Sequence, residues 1–164
     1  MSRKPKREFP SEFSDLIAAF AREHVDYLVV GGYAVAAHGR PRATKDLDLW
    51  VAGGENLGRV SRALKRFGAP AGLVDAAARL GDKEVLYFGV APCRVDILRD
   101  ISAVDFEVAR GRAISSTFGA SVDVPVISLA DLLVNKRAAD RPQDRADVRA
   151  LERIAARFPK GSRA

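Results

Sequence analysis

Three aspartates are the residues best suited to do chemistry. Asp46 and Asp48 stand two apart in Asp46-Leu47-Asp48-Leu49-Trp50-Val51. Strict alternation there reads as a strand, so both carboxylates leave the same face, with Trp50, while Leu47, Leu49 and Val51 leave the other. Asp96 lies in a second alternating run, Cys93 to Leu98, with Val95 and Ile97 on the opposite face. If the two strands are neighbours in register, three carboxylates converge, and like charges so close repel unless a cation sits among them. Mg²⁺ suits them, since it takes hard oxygen ligands and keeps part of its coordination for water and phosphates. Two such ions about 3.5–4 Å apart would clamp the attacking and leaving oxygens of a phosphoryl displacement. Gly31-Gly32 is the complementary feature: without Cβ atoms, this turn from an apolar run into a helix lets the backbone approach a phosphate. Alone, a Gly pair is most often a tight turn, and Asp-Leu-Asp the polar face of a strand. In this order, with a third strand aspartate, they point to metal-assisted phosphate chemistry.

The elements that must position these residues can be read along the chain. Residues 11–24 form a helix with Phe13, Leu16, Ile17 and Phe20 on one face and Ser11 as its cap. Tyr27 to Val30 is a short buried strand, and Ala34 to His38 a short helix ended by Gly39 and Pro41. Residues 55–67 form an amphipathic helix stopped by Gly68. Val85 to Val90 and Cys93 to Leu98 read as strands around Ala91-Pro92, with Tyr87 and Phe88 as strand core. Residues 105–121 show no decisive period, and Val122 to Val126 form a short strand. Ser128 and Asp131 read as a capping pair opening a helix from Leu129 to Ala139. Pro142 starts a last helix with Val148, Leu151, Ile154 and Phe158 as its stripe. The expected class is α+β: a small mixed sheet flanked by helices, with a helical C-terminal element.

With these elements in place, the residues resemble a known family. Val29-Val30-Gly31-Gly32, the run Tyr33 to Arg40, and Arg42-Ala43-Thr44-Lys45-Asp46-Leu47-Asp48-Leu49 are similar to the DNA-polymerase-β-like nucleotidyltransferase superfamily, particularly minimal bacterial members and AbiEii-type toxin nucleotidyltransferases. Val95-Asp96-Ile97-Leu98 resembles its third-carboxylate strand. Leu132 to Lys136, with Arg141 and Asp144 to Asp147, resembles its C-terminal helical element. The resemblance implies that Gly31 and Gly32 hold the triphosphate and that Asp46 and Asp48 bind two Mg²⁺ ions. It implies that Asp96 binds the catalytic ion and helps deprotonate the acceptor, and that Lys136 contacts nucleotide phosphates. The implied reaction is transfer of a nucleoside monophosphate from an NTP, such as ATP, to a hydroxyl acceptor on RNA (a tRNA end) or on a protein. It also implies a place in a toxin–antitoxin or phage-defence pair with a cognate partner protein. One departure is that Gly31-Gly32 stands where the superfamily often has Gly-Ser, which removes a hydroxyl contact to phosphate.

Other candidates carry two readings each. Arg40 and Arg42, just before the aspartate strand, either reach a phosphate or sit in a solvated loop. Lys136 is either a nucleotide contact or an ordinary helix lysine. Trp50 either stacks on a base or is buried under a helix. His38 reads as a packing or turn residue and Cys93 as a packed thiol.

Composition narrows the class. The chain has 164 residues, 48% of them hydrophobic, with one Cys and two His. These counts exclude a disulfide framework and a cysteine zinc cluster. The longest apolar stretch is broken by Gly31 and Gly32 and is too short for a membrane span, so a cytoplasmic, membrane-free protein is expected. The formal net charge is +6, with 27 Lys and Arg against 21 Asp and Glu. Residues 1–10 carry +3 and residues 159–164 carry +2, leaving +1 for residues 11–158. The expected organisation is therefore one domain over 11–158 between two basic tails, 1–10 and 159–164. A non-catalytic nucleotide-binding or antitoxin-type module of the same fold is the alternative reading.

Overall fold

The computed structural model describes residues 9–41, 43–44, 46–118 and 122–158. The basic tails lie almost entirely outside this range, as does Arg42. The elements, in chain order, are α1 (Ser11–Arg22), β1 (Tyr27–Val30), α2 (Gly31–Ala37), β2 (Asp46–Val51), α3 (Asn56–Phe67), α4 (Ala71–Ala78), β3 (Val85–Phe88), β4 (Arg94–Leu98), α5 (Phe106–Arg112), β5 (Ile114–Phe118), β6 (Val122–Val126), α6 (Leu129–Ala139) and α7 (Pro142–Arg157). The strands form one six-stranded mixed sheet in the order β3-β4-β2-β1-β6-β5. The pairs β2/β4 and β1/β6 are parallel, and the other three neighbouring pairs are antiparallel. This is the α+β architecture expected from the hydrophobic patterning.

Burial follows the alternation. Leu47, Leu49, Val51, Val95 and Ile97 are buried, and they join Phe13, Leu16, Phe20, Val60 and Leu64 from α1 and α3 in one core. Each fully buried aliphatic or aromatic side chain of this kind contributes about 1.5–3 kcal/mol. Asn56, at the start of α3, is buried because its amide closes a loop: it accepts from Asp26 N–H at 2.8 Å and donates to the carbonyls of Asp26 (3.0 Å) and Ala52 (2.8 Å). Gly68 stops α3 in a left-handed conformation (φ 94°), and its N–H donates to the Leu64 and Lys65 carbonyls. Ser128 caps α6, its hydroxyl accepting from Asp131 N–H at 3.1 Å.

Several boundaries differ from the sequence expectation. Pro10, not Ser11, is the N-cap of α1, and Ser11 is already helical. Helix α2 begins at Gly31 rather than Ala34, directly on the end of β1. Residues 105–118 resolve into α5 and β5, and α4 was not signalled at all. Strand β3 ends at Phe88, and Tyr87 is 63% exposed rather than core, because β3 is an edge strand. Among the described residues, no helix is long and apolar enough to cross a membrane.

Candidate active site

The sheet order brings β2 and β4 side by side, with Asp48 directly opposite Asp96 and Asp46 opposite Arg94. Cross-strand partners share a face, so one row runs across four strands: Val30, Asp48, Asp96 and Tyr87. Asp46 lies one position along on the same face. Trp50 continues that face but is only 1% exposed. Its indole donates to the Arg99 carbonyl at 3.1 Å and meets Phe106 of α5 edge-on. Helix α5 thus seals the Trp50 end of the strand and leaves the aspartate end open. Trp50 is a buried residue, not a stacking platform.

Gly31 is where backbone and carboxylate meet. Val30 pairs with Asp48, so the chain turns into α2 beside the Asp48 side chain. Gly31 has φ +67°, and a Cβ added there would overlap the Asp48 carboxylate. Both the left-handed backbone and the contact demand glycine. Gly32 follows, buried in the first turn of α2.

A cavity of about 460 Å³ opens next to Gly31 and Asp48. Its polar lining includes Asp100, Ser102, Asn135, Lys136 and Arg141, and its apolar lining Val30, Leu98 and Ile101. Of the three carboxylates, Asp48 lines the cavity and Asp46 and Asp96 do not; Asp96 and Tyr87 continue the row from Asp48 toward the sheet edge.

Lys136 is 5% exposed and fixed between two buried carboxylates, 3.0 Å from Asp144 and 3.1 Å from Asp147. Arg141 holds Asp144 at 2.7 Å as the N-cap of α7. Burial opposes ionisation of Asp144, but the Arg141 guanidinium and then the Lys136 ammonium hold it below the ordinary carboxylate range. Arg40 donates to the Ala146 carbonyl at 2.7 Å and sits 3.5 Å from Asp147. Three cations against two carboxylates leave this α6–α7 junction with one net positive charge beside the cavity. Arg40 therefore ties the segment after α2 to α7 and does not line the cavity, while Lys136 does. Arg141, whose side chain is 74% exposed, also lines it. Sequence reasoning assigned Arg141 no role of its own, since its only local signal is its place before Pro142. Arg42 lies outside the described residues. His38 joins α2 to the end of β6 through a 2.8 Å contact of Nε2 with the Ile127 carbonyl, and Cys93 lies 3.6 Å from Glu12.

The electrostatics centre on Asp48. Burial, then the neighbouring charges of Asp96 and Asp46, push its carboxyl up to about 7, against the opposing fields of Lys136 and Arg94. Hard carboxylate oxygens crowded in this way suit Mg²⁺. Among the described residues, no three His, Cys, Asp or Glu side chains are set to hold a metal ion together. Asp96 is instead bonded to Arg94 at 2.9 Å. The three carboxylates are thus hard oxygen donors of the kind the ion takes, and as placed Asp96 is paired with Arg94.

No protein-family model and no curated protein sequence matches the chain. Solved structures do. The solution structure of the antibiotic-resistance factor ANT(2'')-Ia superposes with TM-score 0.56 at 14% identity, covering 91% of this chain and 83% of that one. The lincosamide antibiotic adenylyltransferase LnuA, lincomycin-bound, matches with TM-score 0.52 at 15% identity over 90% of this chain and 98% of that one. A crystal structure of ANT(2'')-Ia with adenylyl-2''-tobramycin gives TM-score 0.52 at 17% identity, covering 90% and 95%. The likeness is one of fold: the chain shares the fold of these proteins.

Proposed function

We propose that the protein is a nucleotidyltransferase that moves a nucleoside monophosphate from an NTP to a hydroxyl acceptor. The observation that carries this reading is Asp48, paired across the sheet with Asp96, meeting the bare backbone of Gly31 in a cavity that Lys136 and Arg141 also line. Asp46, Asp48 and Asp96 would hold Mg²⁺. When bound, the ion would neutralise charge developing on the phosphoryl oxygens.

The chain's own residues do the rest. The bare Gly31 backbone admits the phosphates beside Asp48. Lys136 and Arg141 set positive charge on the cavity side, where the triphosphate would lie, and the Asp144/Asp147 network fixes Lys136 before the nucleotide arrives. That pre-organisation spares reorganisation at the moment of reaction. Asp96, opposite Asp48 on β4, would take the proton of the acceptor hydroxyl. The hydroxyl oxygen would bond to the α-phosphorus, the bond to the β-phosphate bridging oxygen would break, and pyrophosphate would leave.

The acceptor is a hydroxyl on RNA such as tRNA, or on a protein. The sequence resemblance to the AbiEii-type branch adds a role in a toxin–antitoxin or phage-defence pair. The antibiotics named for the structural neighbours make a third acceptor class to include in the test. Incubation with each labelled NTP and Mg²⁺, offering total RNA, lysate protein, an aminoglycoside and a lincosamide, should give labelled acceptor and pyrophosphate in one combination. Asp48→Asn should lower the rate at least about 100-fold, the scale of removing one charge-stabilising group. Absence of transfer in every combination would overturn the reading. NTP binding without pyrophosphate release would favour the non-catalytic module.

A further inference from the structure

Arg94 occupies an unusual position for a cation beside a site meant for cations. Its backbone pairs with Asp46, yet its side chain runs along its own strand, where Nε bonds Asp96 Oδ1 at 2.9 Å. The guanidinium also lies 4.9 Å from the centroid of the Tyr87 ring, on the edge strand directly opposite Asp96. Three groups in one patch therefore hold one another: a carboxylate of the metal-type row, an arginine and an exposed aromatic ring. The Arg94 side chain is 42% exposed, so it can move without opening the core.

We propose that Arg94 is an internal counter-ion that competes with the metal for Asp96, and that metal loading transfers the guanidinium from Asp96 to the Tyr87 ring alone. The inference rests on the nucleotidyltransferase reading of the three aspartates. A guanidinium on Asp96 satisfies one carboxylate while Asp48 and Asp46 remain crowded. Asp46, Asp48 and Asp96 together would hold a divalent ion, whose charge would disfavour the neighbouring guanidinium, and the Tyr87 face would then supply a site for the displaced cation. Arg94 thereby raises the metal concentration at which the site assembles.

The test uses Mn²⁺ as the probe, with binding to the full chain followed by the loss of the free-ion electron paramagnetic resonance signal, without nucleotide. Arg94→Gln should tighten the Mn²⁺ dissociation constant about three- to tenfold, the effect of removing one nearby, partly screened positive charge. Arg94→Lys, which keeps the charge, should stay within about twofold of wild type. Arg66→Gln, a charge removed from the Glu23 ion pair on α3, should also change binding less than about twofold, as a charge screened by distance does. In metal-free buffer Arg94→Gln should melt lower than wild type, and Mn²⁺ should raise its melting temperature by more. Unchanged or weaker Mn²⁺ binding in Arg94→Gln, with wild-type binding still abolished by Asp48→Asn, overturns the role of Arg94 and leaves the metal site standing. Wild-type binding that Asp48→Asn does not reduce overturns both.

Discussion

Asp48 gains nothing for the fold by being charged. Burial, and after it the charges of its aspartate neighbours, push its carboxyl in the folded chain up to about 7 from an ordinary 3.8. A folded-state value above the unfolded one means that folding takes up a proton between roughly pH 4 and pH 7. Stability contributed by the protonated form is therefore lost as pH rises through that window and stays lost above it. Asp48→Asn should leave the metal-free protein about as stable as wild type near pH 3.5. At pH 8 it should make it more stable, by up to about 2–4 kcal/mol. Urea titrations in EDTA at the two pH values check this, and a destabilised variant at pH 8 would contradict it. Gly31 is constrained twice, by its positive φ and by the Asp48 carboxylate where a Cβ would sit. Gly31→Ala should cost about 2 kcal/mol or more, and pairing it with Asp48→Gly should restore only the steric part, leaving about 1 kcal/mol of backbone strain. Equilibrium denaturation of the single and double variants separates the two. At this scale the sequence was highly legible: the spacing of Asp46 and Asp48 and the glycine after an apolar run are local facts. That Trp50 is sealed by Phe106 and Tyr87 is exposed was not legible, because alternation tells which face a side chain leaves and not what covers that face.

At the scale of elements, the α6–α7 junction is the feature on which the cavity depends. Lys136, Asp144 and Asp147 are buried together, and Arg40 and Arg141 close the network from outside. Lys136→Met would strand two buried carboxylates. The expected loss is about 3–5 kcal/mol, the cost of breaking a buried pair from one side, read from a chemical denaturation midpoint with unchanged slope. A loss under 1 kcal/mol would show that Asp144 and Asp147 are served by the arginines alone. The elements found from the sequence are those with strong stripes or caps: α1, α3, α6 with Ser128, and α7 with Pro142. The missed ones share a physical reason. Helix α4 is rich in alanine and buries only Ala77. Helix α5 buries only Ala109, and β5 is a largely exposed edge strand. Such segments carry little periodicity and take their form from the neighbours on which they lie.

For the whole molecule, the sheet order sets Asp48 between β1 with its glycine turn and β4 with Asp96. The cavity spans both neighbours, lined by Gly31 and Leu98 as well as by Lys136 and Arg141, while Arg94 and Tyr87 lie toward the edge strand beside Asp96. A nucleotide in this cavity would meet Asp48. Binding of NTP with Mg²⁺ to the native form should therefore stabilise the fold, by about 2.7 kcal/mol at 100 times the dissociation constant. Thermal shift with and without Mg²⁺ measures this. Asp48→Asn should erase the Mg²⁺-dependent part, and an equal shift in that variant would place the nucleotide elsewhere.

The sequence by itself determined every strand but β5, the alternation of the two aspartate strands, the glycine turn and the fold class, because alternation and helical periodicity are set by neighbours a few residues away. Only the tertiary structure decided that β4 lies beside β2 with Asp96 opposite Asp48, that Arg40 turns to α7, and that Arg94 occupies Asp96. Strand order and ion-pair choice are settled by packing between segments far apart in the chain, 106 residues for Arg40 and Ala146, where no short-range pattern reaches.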